Sequence, residues 1–355
     1  MNKGIIILSL VLTTLAPGIL ASLHFSPFIT VFSLVLGLVI AFLTYSLINV
    51  NWDYEGLYNY VKTLKKNVLS ILFLISWIIS YYLYVIYTSI YVSYYVLNLD
   101  GLSATLVTLL VSLVAIGLSL SKYSYYAFPA IAFSQMALVL PIGWKFSVST
   151  VPVQLSSLFL NILSSSLVVV CITLSTFVRF ERKFSFYVLL GYGISSIFLL
   201  YGSFLVQNSV AVYGTALGNI GLIFAEFFML NNLLSHGFNV SRRTIYILGL
   251  VAVIASLIGN VNYTLFYNSL IYPSVTLLYV SLFVAFLSIF SLYRRSILHI
   301  VLGVIALTLF AYGDYSVISS ARGIFFLESV TSLILIILLS ILLSRERRLA
   351  RILKG

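Results

Sequence analysis

Glu226, in the run "GLIFAEFFMLNN", is the one acid at the middle of a long apolar stretch. Placing a charge at such a position costs about 2.5–3.5 kcal/mol on insertion scales, so intramembrane acids face a cavity or a partner. An apolar surrounding favours the protonated form of a carboxyl group, and this suits Glu226 to carrying a proton. The plainer alternative is a permanently protonated Glu that donates one hydrogen bond to a neighbouring helix. Thr215 and Asn219 precede it near the same helical face.

A second group of residues suits solute binding. In "LTTLAPG", Pro17 lacks an N–H and its ring clashes with the preceding turn, while Gly18 tolerates unusual backbone angles. A helix broken here offers the Thr13 and Thr14 hydroxyls before the break at Ala16. The N–H groups of Gly18 and Ile19 follow it, at a helix start that suits a carboxylate. A proline kink without a ligand is the competing reading. In "LNILSSSLVV", Ser164, Ser165 and Ser166 can satisfy an unwound backbone, hydrogen-bond a substrate, or simply pack between helices. Tyr84, Tyr87, Tyr91 and Tyr94 form one helical face, a stripe whose common explanation is packing.

Other chemistries find little support. Cys171 is the single cysteine and lies in an apolar run, and His24, His236 and His299 are dispersed, so neither a metal site nor a cofactor is expected. The expected external loops hold only Asp100 and Asp314, without the paired acids or metal ligands of a lipid-linked membrane enzyme. A non-enzyme is the reading that follows. A lipid or glycolipid flippase of another twelve-span fold and a structural subunit of a membrane complex stay open.

The elements that must position these residues are membrane helices. The 355 residues are 62% hydrophobic and 8% charged, and mean hydropathy is +1.15. Stretches of about 18 or more apolar residues recur throughout, each long enough to span a bilayer. They run approximately over 4–22, 28–50, 68–95, 102–121, 127–143, 153–178, 185–206, 211–235, 244–260, 269–292, 297–313 and 324–343. The first could instead be a signal peptide. With the N-terminus cytoplasmic, all but Lys145 and Arg322 of the 19 basic residues fall on the cytoplasmic side. This predicts an all-α polytopic protein of the cell membrane with twelve spans and both termini inside. The net charge of +11 therefore marks topology and contacts to anionic lipid head groups, not nucleic acid. The longest polar loop, "YEGLYNYVKTLKKN" (54–67), has helical spacing of Tyr54, Leu57, Tyr58 and Val61 against three lysines, and reads as a short amphipathic helix in the membrane interface.

Around that loop the sequence resembles the amino acid–polyamine–organocation (APC) permeases. Gly56, Leu57, Tyr58, Tyr60 and Val61 match the Gly-Leu-Tyr-x-Tyr-Val pattern between their second and third spans. "LTTLAPGILAS", "FVRFERKFSFYVLL" and "LLSHGFNVSRR" follow in similar order. The family's first-span Gly-Ser/Ala-Gly signature and its Phe-Ser-Gly-Phe-Glu type of sixth-span motif are absent. The resemblance implies a LeuT-like fold in one membrane domain, 1–355. Residues 1–143 and 151–292 would be two inverted five-helix repeats, and 296–355 two further helices with a basic tail. Spans one and six would be broken where substrate binds. It also implies a secondary transporter for amino acids or related small organic solutes, co-transporting H+ or Na+. Its third span would flank the substrate cavity, where Tyr84 or Tyr87 could gate it, and its eighth would line the ion site, where Thr215 and Asn219 could join Glu226.

Overall fold

The computed structural model describes residues 2–140, 142–146, 155–207 and 209–345. Each of the twelve expected segments carries a helix. In chain order these are α1 (Lys3–Leu15) with α2 (Pro17–Leu20), α3 (Pro27–Val50), then α4 (Leu57–Val61) in the polar loop, and α5 (Asn67–Tyr91). Next come α6 (Gly101–Leu120), α7 (Ser124–Val139), α8 (Leu155–Ser166) with a 3-10 continuation to Phe177, α9 (Phe186–Phe204) and α10 (Ala211–Asn232). The chain closes with α11 (Arg242–Gly259), α12 (Tyr263–Phe286), α13 (Ser288–Leu292), α14 (Ile297–Ser320) and α15 (Ile324–Arg345). Nine stretches among the described residues are long and apolar enough to cross a membrane; one of them, Arg242–Leu292, contains both α11 and α12. This is a helical polytopic membrane protein.

Polar caps set several helix starts. The Ser26 hydroxyl accepts from the Ile29 N–H at 3.4 Å with Pro27 at the first helical position, and Ser241 accepts from Thr244 at 3.2 Å. The helix α14 runs to Ser320, past the expected end at 313, so Asp314 belongs to a helix and not to an external loop. Two short strands, β1 (Ile142–Phe146) and β2 (Leu205–Gln207), pair antiparallel.

At the centre stands α10, which touches α1, α2, α5, α6 and α7. Its apolar window is 78% buried, against 17% for the peripheral α15. Close approach explains the packing: a Cβ on Gly18 would run into the Gly214 carbonyl, and one on Gly221 would sit 3.0 Å from Thr13. The second helix pair is α5 with α12, flanked by α14 and α15.

The loop 54–67 departs from expectation. Leu57, Tyr58, Tyr60 and Val61 are all buried in protein, so this segment is not laid on lipid. It closes over the end of the sixth span. Gly56 sits at φ +53° and ψ −131°, a conformation essentially restricted to glycine, with the Phe177 ring where a side chain would go. Phe177 in turn stacks on Trp77 at 4.2 Å, and Lys62 pairs with Glu55. The basic loops are tied together at this end: Tyr54 stacks on His236 at 4.2 Å, and Lys3 reaches Glu181 at 2.8 Å, which also holds Lys183 at 2.6 Å.

Two outcomes follow. Gly56→Ala forces both a disfavoured backbone and a clash with Phe177, so it lowers stability by about 1–3 kcal/mol, read as a drop in Tm of the purified protein in detergent. Hydrogen bonds from Lys183 and Lys3 lower the pKa of the exposed Glu181 carboxyl from 4.5 to about 2. A lowered folded value means the contribution is present above the unfolded value and is lost as pH falls through the folded one. The Tm difference between wild type and Glu181→Gln should therefore stay constant above pH 4.5 and close as the pH approaches about 2.

Candidate functional site

The first span is interrupted at Ala16, whose φ of 47° and ψ of 69° are left-handed. Pro17 explains the position: it disfavours α geometry in the residue before it and cannot donate to the preceding turn. A left-handed alanine costs about 1–2 kcal/mol, so its surroundings must hold it. They do so by hydrogen bonds. The Gly18 N–H donates to Gln135 Oε1 on α7 at 3.1 Å, and the Thr215 hydroxyl on α10 donates to the Gly18 carbonyl at 3.2 Å.

This corrects two expectations. The N–H groups after the break are not free for a substrate carboxylate, because Gln135 takes that of Gly18 and the Ala16 carbonyl takes that of Ile19 at 2.8 Å. The hydroxyls before it are also engaged: Thr13 donates to Ser9 at 2.8 Å and lies 3.2 Å from the Phe128 carbonyl, and Thr14 donates to Val11 at 2.9 Å. Gln135 went unnoticed in the sequence, although a lone amide in "AIAFSQMALVL" is a signal of the same kind as Glu226. It is fully buried, and its Nε2 has no partner.

The sixth span is not unwound. After Ser166 it tightens into a 3-10 helix, Leu167–Phe177, of 11 residues. Such runs rarely exceed three or four residues and often mark hinges. Hydroxyls support it: Thr173, Ser175 and Thr176 each donate to the carbonyl three residues back, at 2.7, 2.6 and 2.8 Å. The serine triplet sits at the junction. Ser165 and Ser166 are buried and bonded to the Asn161 and Leu163 carbonyls, while Ser164 is exposed. The far end is capped from outside the span, by Trp52 Nε1 on the Ser175 carbonyl and Asn232 Nδ2 on that of Phe177, both at 2.9 Å.

Between these two irregular spans lies Glu226. At 100° per residue, Thr215, Asn219 and Glu226 share one face of α10. The Thr215 end of that face meets the break in the first span, and Asn219 Nδ2 donates back to the Thr215 carbonyl at 2.9 Å. Farther along, Glu226 is completely buried, and neither carboxyl oxygen has a hydrogen-bond partner among the described residues. Tyr81, Tyr84 and Tyr87 of α5 and Cys171 of the 3-10 stretch lie within electrostatic reach of it. The Tyr81 hydroxyl is likewise buried, beside the Thr173 side chain of the 3-10 stretch.

The tyrosine stripe thus divides. Tyr84 and Tyr87, with rings 5.1 Å apart, belong to the Glu226 neighbourhood, whereas Tyr91 and Tyr94 stack on Tyr267 and Tyr263 of α12. Cys171 and Asp314 both lie near Tyr279, which brings α14 to the edge of the cluster. Among the described residues no three His, Cys, Asp or Glu side chains gather as metal ligands would.

No protein-family model matches the chain, and no curated relative matches it in sequence. Its fold is similar to that of the manganese transporter of Eremococcus coleocola. The structure of that transporter with an aromatic bis-isothiourea substituted compound aligns over 95% of this chain and 92% of its own, at 13% identity and a TM-score of 0.50. A point mutant of the same transporter aligns over the same shares at 13% identity and a TM-score of 0.52. The chain therefore shares the overall fold of that protein.

Gln135→Leu removes the acceptor of the Gly18 N–H and leaves that group buried without a partner, a loss of about 1–3 kcal/mol. Gly18→Ala attacks the same junction by pressing a methyl against the Gly214 backbone. Both variants should melt earlier than wild type in a thermal scan, and the double variant should melt little earlier than the worse single one because the two act on one contact.

Proposed function

We propose that the protein is a secondary active transporter of amino acids or related small organic solutes, coupled to protons through Glu226. The observation that carries this reading is the fully buried, unpartnered Glu226 carboxyl standing between a helix broken at Ala16 and a long 3-10 stretch. A buried polar group without a partner is costly, and a native structure that keeps one has a use for it. A carboxyl that gives up its proton in one conformation and regains it in another meets that description. Broken helices at mid-membrane are where transporters bind solute and coupling ion.

The proposal extends to architecture. Residues 1–143 and 151–292 are read as two inverted five-helix repeats of a LeuT-like fold, as in the APC permeases, with the remaining helices appended. Substrate would lie between the first-span break, Ser164 to Ser166, and Tyr84 and Tyr87. Gln135 Nε2, buried and without a partner among the described residues, is a further group a polar solute would satisfy. Thr215 and Asn219 line the path from the break to Glu226. The protein is placed in the cell membrane with both termini cytoplasmic, following its basic loops.

A second reading is divalent-cation transport, favoured by the fold shared with a manganese transporter. Divalent transition metals are held by several carboxylate, imidazole or thiolate donors. Glu226 with Cys171 nearby supplies two at most, so an organic solute is preferred.

The deciding measurement is uptake into proteoliposomes of labelled amino acids, and in parallel of Mn2+, with and without an inward proton gradient. Amino acid uptake driven by the gradient in wild type and lost by at least roughly tenfold in Glu226→Gln is the expected result. Gradient-independent uptake, or full activity in Glu226→Gln, removes the coupling role. Mn2+ uptake without uptake of any amino acid overturns the substrate class.

A further inference from the structure

We propose that the crevice between α6, α7, the end of α10 and α11 is a binding site for one anionic phospholipid. This inference is independent of what the protein transports.

The head-group half is a polar cavity of about 430 Å³ at the end of the bundle that carries the basic loops. Lys122 and Arg242 line it, with His236 and the hydroxyls of Ser119, Ser124 and Ser235, and no acidic side chain is among its lining residues. Neither Lys122 nor Arg242 has a carboxylate partner among the described residues, in contrast to Lys3, Lys62 and Lys183. Ser119 and Ser235 already donate to the Ile116 carbonyl and to Asn231 Oδ1, so it is the two unneutralised cations that complement a phosphodiester.

The acyl half is a groove of about 360 Å³ that shares Leu120, Ser121 and Tyr246 with the cavity. Its walls are built in register. Residues at i, i+3, i+4 and i+7 counted from Leu113 on α6 face residues at the same spacings counted from Tyr246 on α11. Seven residues of helix rise about 10 Å, which fits within the roughly 15 Å depth of one leaflet's hydrocarbon. Gly117 and Gly249 form its notch. A Cβ on Gly249 would meet Ile116, whereas one on Gly117 would meet nothing within 4 Å. The groove at Gly117 is therefore open space facing outward, not a helix contact. Tyr246, 55% exposed, stands where cavity and groove join, the depth at which interfacial tyrosines sit. A charged cavity at the interface and an apolar groove descending from it match the two ends of a single lipid molecule.

Native mass spectrometry of the full chain, titrated with palmitoyl-oleoyl phosphatidylglycerol or the matching phosphatidylcholine, tests this. At about fivefold for each basic side chain near a charged head group, the expected preference for phosphatidylglycerol is roughly 30-fold, for one retained molecule. The double variant Lys122→Ala with Arg242→Ala should abolish the preference. Gly117→Leu, whose Cβ meets no protein atom within 4 Å, fills the groove and should reduce retention of the lipid without lowering Tm. Glycerol 3-phosphate, the head group without chains, should not compete. Equal binding of the two lipids by wild type overturns the proposal, as does full selectivity in the double variant. Undiminished retention in Gly117→Leu overturns the acyl half, and competition by glycerol 3-phosphate would make this a soluble-anion site instead.

Discussion

A backbone N–H or carbonyl set free inside hydrocarbon has no water to turn to, and every irregular helix in this protein must answer that fact from its own side chains. The interruption at Ala16 persists because Gln135 accepts from one side of the break and Thr215 donates to the other. The tightened sixth span is held along its length by its own hydroxyls and at its end by Trp52 and Asn232. The donors and acceptors come from α7, α10 and the segment after α3, and the two irregular spans share one of these neighbours, α10.

Those neighbours converge on α10. Its glycines let the first span approach to backbone contact, and its polar face leads from that contact to Glu226. An acid placed there would be a burden on a purely structural helix. Here it occupies the most deeply buried of the long apolar helices, close to tyrosines of α5 and to Cys171, with no ion pair to neutralise it among the described residues.

Apolar runs and alternating basic loops were enough to place all twelve helical segments, because bilayer thickness and charge asymmetry act on sequence directly. The break at Pro17 was equally visible, since proline and glycine act locally. Less visible were the partners. That Gln135 answers Gly18 depends on two helices 117 residues apart meeting at one level, which no local pattern records. The 3-10 winding of "LVVVCITLSTF" was hidden for a similar reason: its hydroxyls read as ordinary packing until the carbonyls they serve are known. The loop 54–67 has the periodicity of an interfacial helix, but periodicity does not say whether lipid or protein covers the apolar face. Gly56 and Phe177 decide that here. The full extent of α14 is not legible from apolarity either, since the helix continues past Asp314 through a polar turn to Ser320.

The 3-10 stretch has one more property, a matter of length. Eleven residues rise about 22 Å in 3-10 geometry but about 16.5 Å as an α-helix, so rewinding Leu167–Phe177 would shorten it by about one helical turn. Its lower end is fastened to Trp52, Asn232 and the plug of aromatic rings beneath Gly56. Any such contraction would draw on those fastenings, which makes this segment a telescoping strut through the middle of the protein.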